Sequence, residues 1–243
     1  MNIIKLNATE STNTYLKMLA RESFLADKTV VVAENQTKGR GQRANSWHSK
    51  PGESLTFSML KRFSEMPAER QFLVSMAVSI AICGALSALE VPKVTVKWPN
   101  DILSDGKKIG GILIENTLSK FNIKYAVIGI GINVNLEKFE NLPQASSMKI
   151  QTGKRFALEE VLHATLEKCF TALEKLRVAQ FLDYKKQYEH YMFGYDQKFL
   201  FESSDGGRFY ATIRGISDIG ELLLQTEQGA VRQVQIKELR MIY

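Results

Sequence analysis

The 243-residue chain is poor in the residues that mark secreted, metal-bound or membrane proteins. It has two cysteines, Cys83 and Cys169, each inside a helical pattern, and no C-x-x-C pair. A disulfide framework and a thiolate metal site are therefore not expected, and both cysteines read as reduced core residues. Of three histidines, His48 stands alone beside a turn, where a structural role is commoner than a catalytic one. No metal ligands can be assigned. Residues 1–7 contain no signal-peptide h-region, so the expected location is cytoplasmic. Net charge is +6 and the pI is near 9.2, yet no dense Lys/Arg block with interleaved aromatics occurs. Nucleic acid is thus not the expected partner, whereas a small anionic substrate or an acidic protein fits the charge. Residues 71–89 carry no charge and invite comparison with a membrane span. They are rich in Ala and Ser, which keeps their hydrophobicity low for insertion, so they read as a buried helix and no membrane association is expected. No repeats or low-complexity tracts are evident. At 44% hydrophobic and 24% charged residues, the composition is that of an ordinary globular protein.

What the chain does have is a concentration of glycine and cations at residues 34–47. An apolar run, Val30-Val31-Val32-Ala33, reads as a buried strand. Gly39 and Gly41 follow, interleaved with Lys38, Arg40 and Arg43, and Trp47 closes the segment. Glycine lets backbone approach a ligand closely, and exposed N–H groups with guanidinium donors suit an anion. The plainer alternative is a basic surface loop. Upstream, Ser11-Thr12-Asn13 are three helix-capping residues ahead of an amphipathic helix that runs to about Leu25. A helix N-terminus also favours polar ligands.

Further along, Ser54 to Leu60 alternates as a half-buried strand, and Pro67 opens the charge-free helix. Val94 to Trp98 alternates as a strand that Pro99-Asn100-Asp101 ends, and Asp105-Gly106-Lys107 reads as a hairpin turn. Two strands then carry paired glycines: Gly110-Gly111 in residues 108–115, and Gly129 with Gly131 in residues 125–135. Such glycines weaken a strand unless something must come close. With the Gly39/Gly41 loop they suggest one shared cleft over a sheet. Residues 143–153 read as loop, and helices are expected over 158–176 and 181–191. From residue 193 onward, glycines separate short alternating runs, the pattern of a β-barrel of about five strands docked on the main body.

Five blocks occur in order: Ser11-Thr12-Asn13; Gln36 with Gly39-Arg40-Gly41; Lys97-Trp98-Pro99-Asn100-Asp101; Lys108-x-Gly-Gly-Ile-Leu-Ile-Glu115; and Gly129-x-Gly-Ile-Asn133. Together they resemble the biotin–protein ligases, also called biotin–[acetyl-CoA-carboxylase] ligases. The resemblance implies an α+β fold, a mixed β-sheet packed by helices of the class II synthetase-like biotin–lipoate ligase type. A small C-terminal SH3-like β-barrel goes with it, and the implied division is 1–192 for the catalytic part and 193–243 for the barrel. It implies activation of biotin by ATP with Mg²⁺, giving biotinyl-5′-AMP, and transfer to a lysine of biotin carboxyl carrier protein.

By the same resemblance, Ser11, Thr12, Asn13, Gln36, Gly39, Arg40, Gly41, Gln42, Lys108, Gly110 and Gly111 are expected around biotin. Arg43, Trp47, Asn100, Asp101, Ile132 and Asn133 are expected around the adenylate, with Asp101 also a candidate to hold Mg²⁺ or Lys108. Lys108, Arg40 and Lys97 are expected to act in the chemistry. Many bacterial members have arginine where this chain has Gln42 and Asn45, so Arg43 and Lys97 are expected to share the work of supplying the missing charge. Because Ser11 is reached almost at once, no winged helix and no repressor role are expected. The expected assembly is a monomer or weak homodimer. The alternative is a lipoate–protein ligase using the same adenylation chemistry.

Overall fold

The computed structural model describes every residue except Ser23, Arg43, Ala44, Asn141, Ile236, Lys237 and Tyr243. Seven strands form the central sheet: β1 (Asn2–Thr9), β2 (Thr29–Gln36), β3 (Ser54–Arg62), β4 (Val94–Lys97), β5 (Asp101–Ser104), β6 (Lys107–Ser119) and β7 (Asn122–Asn133). Their order is β1-β2-β3-β7-β6-β5-β4. β1 and β2 run parallel, joined by the crossover helix α1 (Thr12–Glu22), and the remaining neighbours are antiparallel. The mixed sheet is the one expected.

The period-2 alternation of β3 and β7 sorts their residues between two faces. Phe57 and Met59 of β3 join Ile128, Ile130 and Ile132 of β7 in the main core. The helices α2 (Gln71–Ala88), α4 (Leu158–Lys175) and α5 (Phe181–Tyr191) cover that face, with α3 (Met148–Thr152) a short turn in the stretch read as loop. The segment Ala68–Ala88 is long and apolar enough to cross a membrane by length and composition. Here Leu73, Val74, Met76, Ala77, Val78 and Ile82 of that segment are wholly buried in the core. Each large side chain so buried contributes roughly 1.5–3 kcal/mol. On the other face Leu16 of α1 packs with Val31, Leu60, Tyr125 and Val127.

The C-terminal strands β8 (Lys198–Ser203), β9 (Arg208–Ile216), β10 (Leu222–Thr226), β11 (Val231–Val234) and β12 (Leu239–Ile242) make a five-stranded antiparallel sheet of order β11-β10-β9-β8-β12. Five strands are as expected, but among the described residues no ladder joins β11 to β12. In that order the sheet is open between β11 and β12. Phe201, Ile213, Leu222 and Leu224 carry its apolar side into the main core. Trp98 Nε1 donates to Gly220 O at 2.9 Å, and Glu189 Oε1 accepts from Ile216 N at 3.0 Å, which tie this sheet to the body.

Candidate functional site

The register of the sheet makes a floor with three glycines at its centre. On the face away from α2, Thr56 of β3 lies opposite Gly131 of β7, Gly131 opposite Gly111 of β6, and Gly111 opposite Asp101 of β5. The next row is Ser58, Gly129 and Leu113. Small residues at the centre of one face leave a cavity of about 430 Å³ above them. What first comes close to the glycines is the protein itself. A Cβ on Gly129 would fall 2.3 Å from Asn13 Oδ1, and one on Gly131 would fall 2.4 Å from Trp47 Cε2.

One wall is neutral and hydrogen-bonded within itself. It stands where α1 begins, and Ser11, Thr12 and Asn13 are buried. Gln36, at the end of β2, accepts from Thr12 N at 2.8 Å and from Thr12 Oγ1 at 3.2 Å, so its amide serves a helix-start N–H. Ser58 Oγ lies 2.7 Å from Thr12 Oγ1 and 2.6 Å from Asn13 Oδ1. Asn13 Nδ2 donates to Leu113 O and to Glu115 Oε2. Burial pushes the Glu115 carboxyl up. Hydrogen bonds from Lys17 and Asn13, with the charges of Lys17 and Arg40, outweigh that and hold it below the usual value.

The opposite wall is charged. Lys108 Nζ lies 2.6 Å from Asp101 Oδ1 and 5.8 Å from the centre of the Trp47 ring. Its backbone is locked by the following loop: Lys108 N donates to Gln144 O, and Ser146 N donates to Lys108 O. Lys97 Nζ is 4.0 Å from Asp101 Oδ2. Burial holds Lys97 below the ordinary lysine value; Asp101 pulls it back up, while Lys108 and Arg240 push it further down. Asp101 is the sole carboxylate lining the cavity among the described residues, against Arg40, Lys97, Lys108 and Arg240. Arg40, more exposed, reaches Glu115 at 3.6 Å.

Over the cavity, residues 39–42 and 45–47 lie against each other. Trp47 N donates to Gly39 O at 2.8 Å, Gly41 N to Asn45 O at 2.7 Å, and Arg40 bridges Ser46. A Cβ on Gly39 would fall 2.3 Å from Trp47 O, so only glycine fits. The Trp47 indole lies on Gly131 and Gly111, and its buried Nε1 has no acceptor among the described residues.

Residues 6–133 match the model of the biotin/lipoate A/B protein ligase family. The chain belongs to that family. The bifunctional ligase/repressor BirA of Bacillus spizizenii is 31% identical over 207 residues, 83% of this chain and 62% of that protein. The biotin–[acetyl-CoA-carboxylase] ligase of Mycobacterium tuberculosis is 32% identical over 143 residues, 58% of this chain and 52% of that protein. The chain thus spans 62% and 52% of the lengths of these two curated relatives. A solved structure of biotin protein ligase from Aquifex aeolicus in complex with biotin and ATP aligns with a TM-score of 0.80 at 30% identity, covering 99% of this chain and 98% of that one.

Of the residues that family likeness singled out, Ser11, Thr12, Asn13, Gln36, Arg40, Gly41, Gln42, Trp47, Lys97, Asn100, Asp101, Lys108 and Gly111 line the one cavity. Others stand elsewhere. Gly110 pairs with Ile102 and Ile132, in a row that faces the helices, so adjacent glycines of β6 serve opposite faces. A Cβ there would meet Gly131 O at 3.0 Å. Ile132 is buried in the main core, and its side chain does not line the cavity. Asn133 is buried and donates to Ser146 O at 3.0 Å, tying β7 to the loop that locks Lys108. Gly39 packs against the Trp47 backbone and does not line the cavity. Arg43 lies outside the described residues. The sequence reading missed Ser58, which looks like any half-buried strand serine, and Arg240, which reaches the cavity from β12 some 130 positions beyond Lys108. Glu115 closes an apolar strand in its motif, a signal that could have marked it.

Proposed function

We propose that the chain is a biotin–protein ligase. It joins the biotin carboxylate to the α-phosphate of ATP, giving biotinyl-5′-AMP and pyrophosphate. It then passes the biotinyl group to a lysine of the biotin carboxyl carrier protein of acetyl-CoA carboxylase. The carrying observation is a single cavity with a neutral hydrogen-bonding wall facing a cluster of cations around one carboxylate. The neutral wall suits an uncharged ureido head, and Ser11, Thr12, Asn13 and Gln36 would take that role. The cations suit a step in which two anions meet, because repulsion between them and the charge developing at phosphorus must be offset.

In the first step a carboxylate oxygen forms a bond to phosphorus as the bond to the pyrophosphate oxygen breaks. Lys108 is assigned to the bridging position between carboxylate and α-phosphate, where Asp101 steers it. Lys97 and Arg240 are assigned to the phosphates, and Arg40 to the mouth. Trp47, Asn100 and the backbone near Asn133 are assigned to the adenylate side. Mg²⁺ would arrive with ATP as part of that substrate; among the described residues no cluster of three His, Cys, Asp or Glu offers it a cage. In the second step the lysine amine attacks the acyl carbon and AMP leaves. The division of labour proposed is residues 1–192 for both steps and 193–243 for completing the charged wall. A monomer or weak homodimer in the cytoplasm is the setting proposed.

The test is mass spectrometry of the protein after incubation with biotin and Mg-ATP, looking for bound biotinyl-AMP, with lipoate in a parallel arm. Biotinyl-AMP without lipoyl-AMP supports the reading. Lipoyl-AMP alone would replace it with lipoate–protein ligase, and neither product would remove the ligase assignment.

A further inference from the structure

A groove of about 630 Å³ lies beside the cavity, on the helix side of the sheet. Ile112, Ile114 and Asn116 of β6 form its floor, Phe72, Ser75 and Ser79 of α2 one side, and residues 219–221 before β10 the other. Gln42, Trp98, Pro99, Asn100 and Ile112 line both hollows, so the two adjoin along that segment.

Their charges are opposed. The cavity sets four cations against Asp101. The groove carries Glu69 and Glu221 and, among the described residues, no Lys, Arg or His, in a chain of net charge +6. An anion therefore has no partner there, whereas a cation does. The groove also holds two polar atoms without partners among the described residues, Ser79 Oγ and Asn116 Oδ1. Ser79 is 0% exposed. A buried hydroxyl in a helix commonly bonds the carbonyl one turn back, as Thr165 does to Val161 O in α4. Ser79 makes no such bond and lines the groove instead. Buried polar groups left open in this way call for a partner from outside.

We propose that this groove seats the lysine-bearing segment of the acceptor protein, drawing its cation past Glu69 and Glu221 to the junction at Trp98–Asn100. The inference rests on the ligase reading above. At the junction the ammonium gives a proton to water and its lone pair bonds to the acyl carbon. The bond from that carbon to the phosphate oxygen breaks, AMP leaves with the electron pair, and the nitrogen releases a second proton to become an amide. Ser79 and Asn116 accept or donate hydrogen bonds to the segment, and the small side chains of Ser75 and Ser79 leave it room.

The experiment compares the wild-type protein with Glu69→Lys, with the pair Glu69→Lys/Glu221→Lys, and with Ser75→Trp, which fills the groove. Each is assayed for pyrophosphate release, for biotin transfer to purified biotin carboxyl carrier domain, and for transfer to hydroxylamine, which needs no groove. Pyrophosphate release and hydroxamate formation should match wild type, which also shows that the variants fold. KM for the carrier domain should rise by about tenfold or more in the double variant, as for like charges brought together at an interface, and also in Ser75→Trp. Unchanged carrier KM in all three overturns the inference while the ligase reading stands. A parallel fall in hydroxamate formation also overturns it, because the effect would then lie in the cavity. If the wild-type protein makes no biotinyl-AMP, the ligase reading fails and this inference falls with it.

Discussion

The neutral and charged walls of the cavity are built in different ways. Thr12, Asn13, Gln36 and Ser58 come from one helix start and two adjacent strands, lie largely out of solvent, and satisfy one another. Lys97, Asp101, Lys108 and Arg240 come from separate segments, stand partly in solvent, and share a single carboxylate among the residues lining the cavity. A satisfied buried network holds one geometry and is costly to disturb. A cluster with surplus positive charge remains short of neutralisation until anions arrive. Under the proposed function, the neutral wall governs ground-state recognition, and the charged wall acts where charge develops.

The sharpest break in that contrast is Lys108→Ala. Pyrophosphate release should fall on the order of a hundredfold or more, as when one preorganised electrostatic donor is lost, while biotin affinity measured by calorimetry stays within a few-fold. A variant that adenylates at the normal rate would take Lys108 out of the chemistry. The converse break is Gly129→Ala on the floor of the neutral wall. The new Cβ would press on Asn13, whose amide is already held by Ser58, Leu113 and Glu115. Stability should drop by about 1–3 kcal/mol from overpacking, and biotin should bind about tenfold more weakly once Asn13 shifts, with kcat at saturating biotin nearly unchanged. Unaltered biotin affinity would show that Asn13 does not set the recognition geometry.

The same contrast explains what could be read in advance. Most of the fold and the helix start of the neutral wall were legible because they follow local periodicity, whereas Gln36 came from family likeness and Ser58 was missed. Alternation in β3 and β7 marks two faces, Ser11-Thr12-Asn13 marks a helix start, and charge-free α2 marks a covered helix. What was less legible is facing and distance. Gly110 and Ile132 belong to motifs, yet period 2 places them on the helix side of the sheet. Recognising that Gly110 and Gly111 alternate would have separated their roles. Arg240 could not be foreseen, because only tertiary docking of the C-terminal sheet brings it to Lys97. In the C-terminal sheet the strand count was visible in turn spacing, while the pairing of the edge strands β11 and β12 was not.

A milder test of the neutral wall is Ser58→Ala. The hydroxyl contacts both Thr12 and Asn13 and is wholly buried, so its loss leaves their oxygens short of a partner. A cost of about 1–3 kcal/mol in unfolding free energy is expected for a buried group left unpaired, with biotin affinity lowered only a few-fold because Gln36 still holds Thr12. Denaturant titration and calorimetry measure the two separately. A loss of adenylation rate at saturating biotin would instead link the two walls.

The smallest effect concerns pH and the charged wall alone. Burial holds Lys97 below the ordinary lysine value, Asp101 opposes that, and Lys108 and Arg240 reinforce it. A cation with a lowered value loses its proton sooner as pH rises. Pyrophosphate release should therefore fall on the alkaline side at a lower pH than an exposed lysine would give. The consequence for folding runs the other way: the folded state binds this proton less tightly than the unfolded chain, so stability rises with pH between the folded and the ordinary values. Arg240→Gln removes one downward push and should move the alkaline limb of kcat, at saturating ATP, to higher pH. Asp101→Asn removes the upward pull and should move it to lower pH, although it also frees Lys108 from its partner, so Arg240→Gln is the cleaner variant. Lys97→Arg, which does not titrate in this range, should abolish the limb. Profiles of kcat against pH for the three variants check the assignment. A limb unmoved by Arg240→Gln and retained in Lys97→Arg would mean that another group titrates, and that the C-terminal sheet contributes no charge to the step.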